Sequence, residues 1–156
     1  MSAADYVGRT HDLLALHGAV PGQSVLLEEA LIPADGSGGY IVAGIEKLVQ
    51  RFLLALLTVA GSKAYLPSDG CQFMLDAQLG RWRTAADVYQ SFYASLVDVR
   101  RQLQLDEDST TPDDETFAGA TLESVELNWP TARLVVRMDS AAGSSRTFVA
   151  PLAVAI

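Results

Sequence analysis

The hydrophobic period of this chain changes once, and that change sets the class of fold it can adopt. Ile41, Ile45, Leu48, Val49, Phe52, Leu53, Leu56 and Leu57 recur at spacings of three and four, which predicts an amphipathic helix beginning near Tyr40. Glu46, Lys47, Gln50 and Arg51 fall on its opposite side, Leu54 lies close to that polar arc, and Gly61-Ser62 is expected to end the helix. Pro67, Ser68, Asp69 and Gly70 continue as loop. A second helix is announced by Thr84 with Asp87 three residues on, a carboxylate variant of the capping box, followed by Val88, Phe92, Leu96, Val99 and Leu103 on one face. After the acidic connection Asp106 to Glu115 the period becomes two. Val125, Leu127 and Trp129 alternate with polar neighbours, then Leu134, Val136 and Met138, then Phe148, Ala150, Leu152, Val154 and Ile156. Pro130-Thr131 and the stretch Ala141 to Ser145 are short enough for hairpins. The expected fold is therefore α+β, two core helices packed on a C-terminal antiparallel meander. Pro151 cannot donate to a ladder, so the last strand, Thr147 to Ile156, is expected at an edge or limited in which side of it pairs.

Residues 1–39 have a different character. Two apolar runs, His11 to Val20 and Ser24 to Ile32, are separated by the turn signal Pro21-Gly22, which suggests a hairpin or an extended arm, with helix still open for both runs. The glycine-rich stretch from Pro33 to Gly39 then reads as a linker, so the expected division is an N-terminal arm over 1–39 and an α+β domain over 40–156.

Composition removes several functions. The formal net charge of -8 and a pI near 4.5 oppose direct contact with nucleic acid or an anionic membrane. Cys71 is the sole cysteine, which excludes an internal disulfide and any zinc site of paired thiolates, and it is expected to be a small buried hydrophobe in a reducing compartment. The N-terminus lacks the pattern of a secretory signal. The apolar segment from Tyr40 to Ala60 is interrupted by charged residues, each costing roughly 2.5–3.5 kcal/mol at a bilayer centre, so it is expected to be a core helix of a soluble protein.

The residues that carry chemistry are sparse. His11 and His17 stand six apart, with no acidic or thiol partner at a metal-ligand spacing. The glycines at 36–39 lack the Lys-Ser/Thr pair of a phosphate loop, and the carboxylates of 106–115 lack the order of a calcium loop. Glu46, Glu123 and Glu126 have no spacing that marks an acid and base of a glycosidase. No catalytic, cofactor or metal residue is assigned, and the expectation is a chain that is not an enzyme.

One stretch of the chain has a recognisable pattern. Gly44-Ile-Glu-Lys-Leu-Val-Gln-Arg51, then Leu53-Leu-Ala-Leu-Leu-Thr58, then Gly61-Ser62, Tyr65, Pro67 and Gly70 resemble the signature of the baseplate-wedge, or sheath-initiator, family of contractile phage tails, some of whose members are labelled lysozyme-like. The resemblance covers residues 40 to 156. It implies a structural virion protein of the tail baseplate, arranged with sixfold symmetry around the tube, that contacts wedge subunits, the tail sheath protein and the tube or hub. The C-terminal strand would offer its edge to the first sheath ring, which needs main-chain hydrogen bonds and no catalytic group. Candidate interaction residues are then Thr147, Phe148, Val149, Ala150, Leu152, Val154 and Ile156, together with Leu54 beside the polar arc of the first helix. On this reading, deleting Leu152–Ile156 would spare folding and disturb sheath assembly; if the strand merely completes the domain's own sheet, losing Leu152, Val154 and Ile156 would instead unfold the chain. Members of the family carry a Glu-Pro-Arg triplet after the second helix, and here the region is Asp113-Asp-Glu-Thr-Phe117. Two alternatives belong to other classes: a peptidoglycan-degrading tail enzyme, which turnover would reveal, and a free cytosolic adaptor, which a stable complex outside any particle would reveal.

Overall fold

The computed structural model describes Asp12–Leu13 and residues 41–154. Two short strands, β1 (Asp12–Leu13) and β2 (Ile41–Val42), pair antiparallel. Three helices follow, α1 (Ile45–Leu57), α2 (Phe73–Gln78) and α3 (Ala85–Leu105). The chain then forms β3 (Phe117–Asn128), β4 (Thr131–Ser140) and β5 (Ser145–Ala153), an antiparallel sheet in the order β3-β4-β5. The α+β class and the meander are as the change of period predicts. The expected division at residue 39 lies outside the described residues, as do both histidines and most of the N-terminal runs. Asp12–Leu13 pairs with Ile41–Val42.

One hydrophobic core joins the helical layer to the sheet. Leu48, Phe52, Val88, Phe92 and Val99 meet Leu122, Leu134, Val136, Met138 and Phe148. Phe52 sits at its centre, stacked on Phe117 with centroids 5.9 Å apart and edge-on to Phe148 at 6.2 Å. Burying each side chain of this size contributes about 1.5–3 kcal/mol, so the sheet and the helices hold each other in place. α3 lies along β3, while α1 packs on α3 and reaches β4 and β5.

The helix ends follow from local chemistry. Thr84 Oγ1 accepts from the Asp87 N–H at 3.3 Å and Asp87 Oδ2 accepts from the Thr84 N–H at 2.7 Å, the reciprocal cap expected for α3. α1 stops earlier than Gly61: Thr58 turns extended while its hydroxyl donates to the Leu54 carbonyl at 2.6 Å. The loop after it returns to α1, because Cys71 N–H donates to Thr58 O and Ala60 N–H to Cys71 O. Gly70 makes that return possible. Its φ is +88°, and a Cβ there would lie 2.5 Å from Thr58 O. α2 is a helix that the spacing of apolar residues does not announce, six residues long and anchored by buried Phe73 against Trp82 at 4.6 Å.

The polar arc of α1 differs from its expected character as the side opposite the core. Gln50 is buried, Lys47 Nζ lies 2.8 Å from the buried Glu115 Oε2, and Arg146 Nε lies 3.0 Å from Glu46 Oε1. Glu115 also accepts from the Gly44 N–H at 2.9 Å, so a carboxylate 71 residues away serves the first turn of α1. The acidic connection is accordingly not wholly solvated, since its last carboxylate is only 2 % exposed.

Candidate protein-interaction sites

The first candidate is β5. Its register with β4 is uninterrupted, from Asp139↔Ser145 to Thr131↔Ala153. The Val154 N–H donates to Pro130 O and the Ser140 N–H to Ser144 O, so even-numbered residues of β5 and β4 bond each other. Antiparallel alternation then turns the main-chain groups of Thr147, Val149, Pro151 and Ala153 away from β4. Pro151 stands on that outward side, where its missing N–H costs the sheet nothing. Among the described residues no strand pairs with β5 there.

Side chains on β5 have other duties. Phe148, Ala150, Leu152 and Val154 point into the core and are buried, so they are occupied within the domain and a partner could meet only the backbone beside them. Val149 is on the opposite face, outside that core, and is nevertheless 1 % exposed. Thr147 is partly exposed, Pro151 and Ala153 are exposed, and Ile156 lies outside the described residues. The deletion of Leu152–Ile156 would therefore remove buried Leu152 and Val154, the situation in which the strand completes the domain's own sheet and its loss is expected to cost folding.

The second candidate surrounds Leu54, which is 49 % exposed as its position beside the polar arc suggests. It lines a groove of about 300 Å³ between the C-terminal half of α1, the loop before α2 and the end of α3. Leu66 and Leu105 are the other exposed leucines of this groove. Its rim charges are matched: Lys63 Nζ lies 3.0 Å from Asp69 Oδ2, and Arg51 NH2 3.4 Å from Asp106 Oδ2. The Gln102 amide bonds both the N–H and the carbonyl of Gly70, at 2.9 and 2.8 Å, which fixes the loop against α3. Sequence reading found Leu54 but not Leu66 or Leu105. The available signal for Leu105 was its place two residues after Leu103, which turns it off the buried stripe.

Cys71 is fully buried, with its Sγ 3.3 Å from the Leu56 carbonyl, and burial pushes its thiol pKa up. Burial also raises the Glu46 carboxyl, an effect that Arg146 opposes. Glu126 is paired with Arg133 at 3.5 Å on the exposed face of the sheet, and Glu123 is exposed on β3. Among the described residues no group of three or more His, Cys, Asp or Glu is placed to hold a metal ion, and no helix is long and apolar enough to cross a membrane. No family model, curated protein or solved structure matches this chain.

Proposed function

We propose that this chain is a structural subunit of a contractile phage tail baseplate, which joins the wedge to the tube and sheath and starts sheath assembly by strand addition. The observation that carries the reading is β5: an edge strand paired on one side among the described residues, with the outward carbonyls of exposed Pro151 and Ala153 and partly exposed Thr147 placed for a further strand. Exposure of Pro151 and Ala153 makes that end of the strand the point of first contact. The groove at Leu54 supports the same reading, because an apolar recess with internally paired rim charges suits a wedge subunit more than a small charged substrate. The reading needs no enzymatic step and no cofactor, and it places the mature protein in the virion.

Electron microscopy of tails assembled with and without the chain tests this. Loss of the chain is expected to leave tubes on baseplates without an ordered sheath, and its return in trans should restore sheathed tails. Tails that sheathe normally without it would refute the proposal.

A further inference from the structure

The sheet has a second edge. β4 bonds β5 through its even-numbered residues, so its odd-numbered ones bond β3, and the pairs Val135↔Ser124, Arg133↔Glu126 and Thr131↔Asn128 carry those bonds. Val125 and Leu127 then turn their N–H and C=O groups away from the sheet, and no described residue bonds them. The earlier part of β3 contacts α3, and the Tyr89 hydroxyl donates to the Glu123 carbonyl at 3.2 Å. Beyond that bond the register shifts by one residue, and Ser124, Glu126 and Asn128 are exposed. The two edges thus offer different groups. β5 presents its outward carbonyls at exposed Pro151 and Ala153 beyond a buried Val149, whereas the end of β3 has complete pairs of ladder groups at Val125 and Leu127.

We infer that the end of β3, from Ser124 to Asn128, is a docking edge for a basic extended segment of another protein with apolar residues at alternate positions. Residues of an added strand opposite Val125 and Leu127 would share their face, where both side chains are partly buried against the core, so they are apolar. The intervening residue would stand beside Glu126 on the outer face, with exposed Glu123 one residue before the run. Arg133 engages only Oε2 of Glu126, at 3.5 Å, and the net charge of -8 favours a basic partner over a second copy of the chain. Trp129, 45 % exposed at the end of the strand, supplies an aromatic surface of the type that anchors interfaces. The inference concerns β3 alone and does not depend on the baseplate reading or on β5.

The probes are two synthetic peptides, acetyl-Lys-Val-Lys-Val-Lys-Val-amide and its counterpart with Glu in place of Lys, added to the full chain. Amide exchange followed by NMR is expected to slow about tenfold at Val125 and Leu127 with the lysine peptide and to stay unchanged with the glutamate peptide. Glu126→Lys should weaken the response to the lysine peptide. Leu127→Pro removes an N–H that the sheet does not use, so a folded variant, checked by circular dichroism, should lose the protection at Val125. Protection confined to β5 amides, equal protection by both peptides, or no protection at Val125 and Leu127 would each overturn the inference. So would dimerisation of the chain that protects these amides in the absence of peptide.

Discussion

β3 and β5 are both edges of the same sheet, yet they divide their work in opposite ways. β5 gives Phe148, Ala150 and Leu152 to the core along its length and leaves Pro151 and Ala153 exposed at its far end. β3 does this over its first half, where Phe117, Ala120 and Leu122 are buried, and then runs on beyond full cover, with Val125 and Leu127 partly buried and Trp129 exposed. The difference teaches that an edge strand's hydrophobicity does not mark it as an interface. What matters is whether the outward main-chain groups are intact and reachable.

The largest effect should come from the end of β5. Deleting residues 152–156 removes Leu152 and Val154 from the core, a loss of roughly 3–6 kcal/mol at about 1.5–3 kcal/mol for each buried side chain. Chemical denaturation would measure it, and a truncated chain of unchanged stability would break the contrast between the two edges. Next in size is the helix that contacts β3. Thr84→Ala removes the side-chain half of the α3 cap and should cost about 0.5–2 kcal/mol, read as a shifted denaturation midpoint at constant slope.

A smaller effect concerns pH and the ion pair between α1 and β5. Burial raises the Glu46 carboxyl in the folded state, so the native chain holds that proton more tightly than the unfolded one. Stability from this group rises as pH falls from above the raised folded value toward the unfolded value near 4.5, and it is lost again as pH rises through the folded value. Glu46→Gln should flatten that part of the stability profile, whereas an unchanged slope would show that Arg146 offsets the burial. Smallest of all, Glu126→Lys on the exposed face of β3 should change stability by no more than about 0.5 kcal/mol, which sets its effect on peptide protection apart from any effect on folding.

The parts of this molecule that could be read from sequence are those where a period is sustained or a cap is local. The stripe from Val88 to Leu103, the reciprocal Thr84–Asp87 cap and the meander with Pro151 at its edge all belong to that kind. Long-range pairing was not legible. Nothing in the order of residues tells that Glu115 returns to Gly44 and Lys47, or that Arg146 meets Glu46, so the polar side of α1 reads in the sequence as a face apart from the core. α2 is too short to establish a period, and its position depends on Phe73 fitting against Trp82. Of the candidate interaction residues, Leu54 was identifiable because a leucine beside a polar arc departs from the pattern around it. Alternation marks β5 as a strand, and its even-numbered side chains pack in the core, while its role as a docking edge rests on the resemblance.

Cryo-electron microscopy of an assembled tail containing this chain tests the central claim most directly, because it shows both edges in their working state. The account predicts copies of the chain around the tube at the top of the baseplate, with a strand of the sheath protein continuing the sheet at β5. A sheath that begins without touching the chain, or a baseplate that contains no copy of it, would contradict the account.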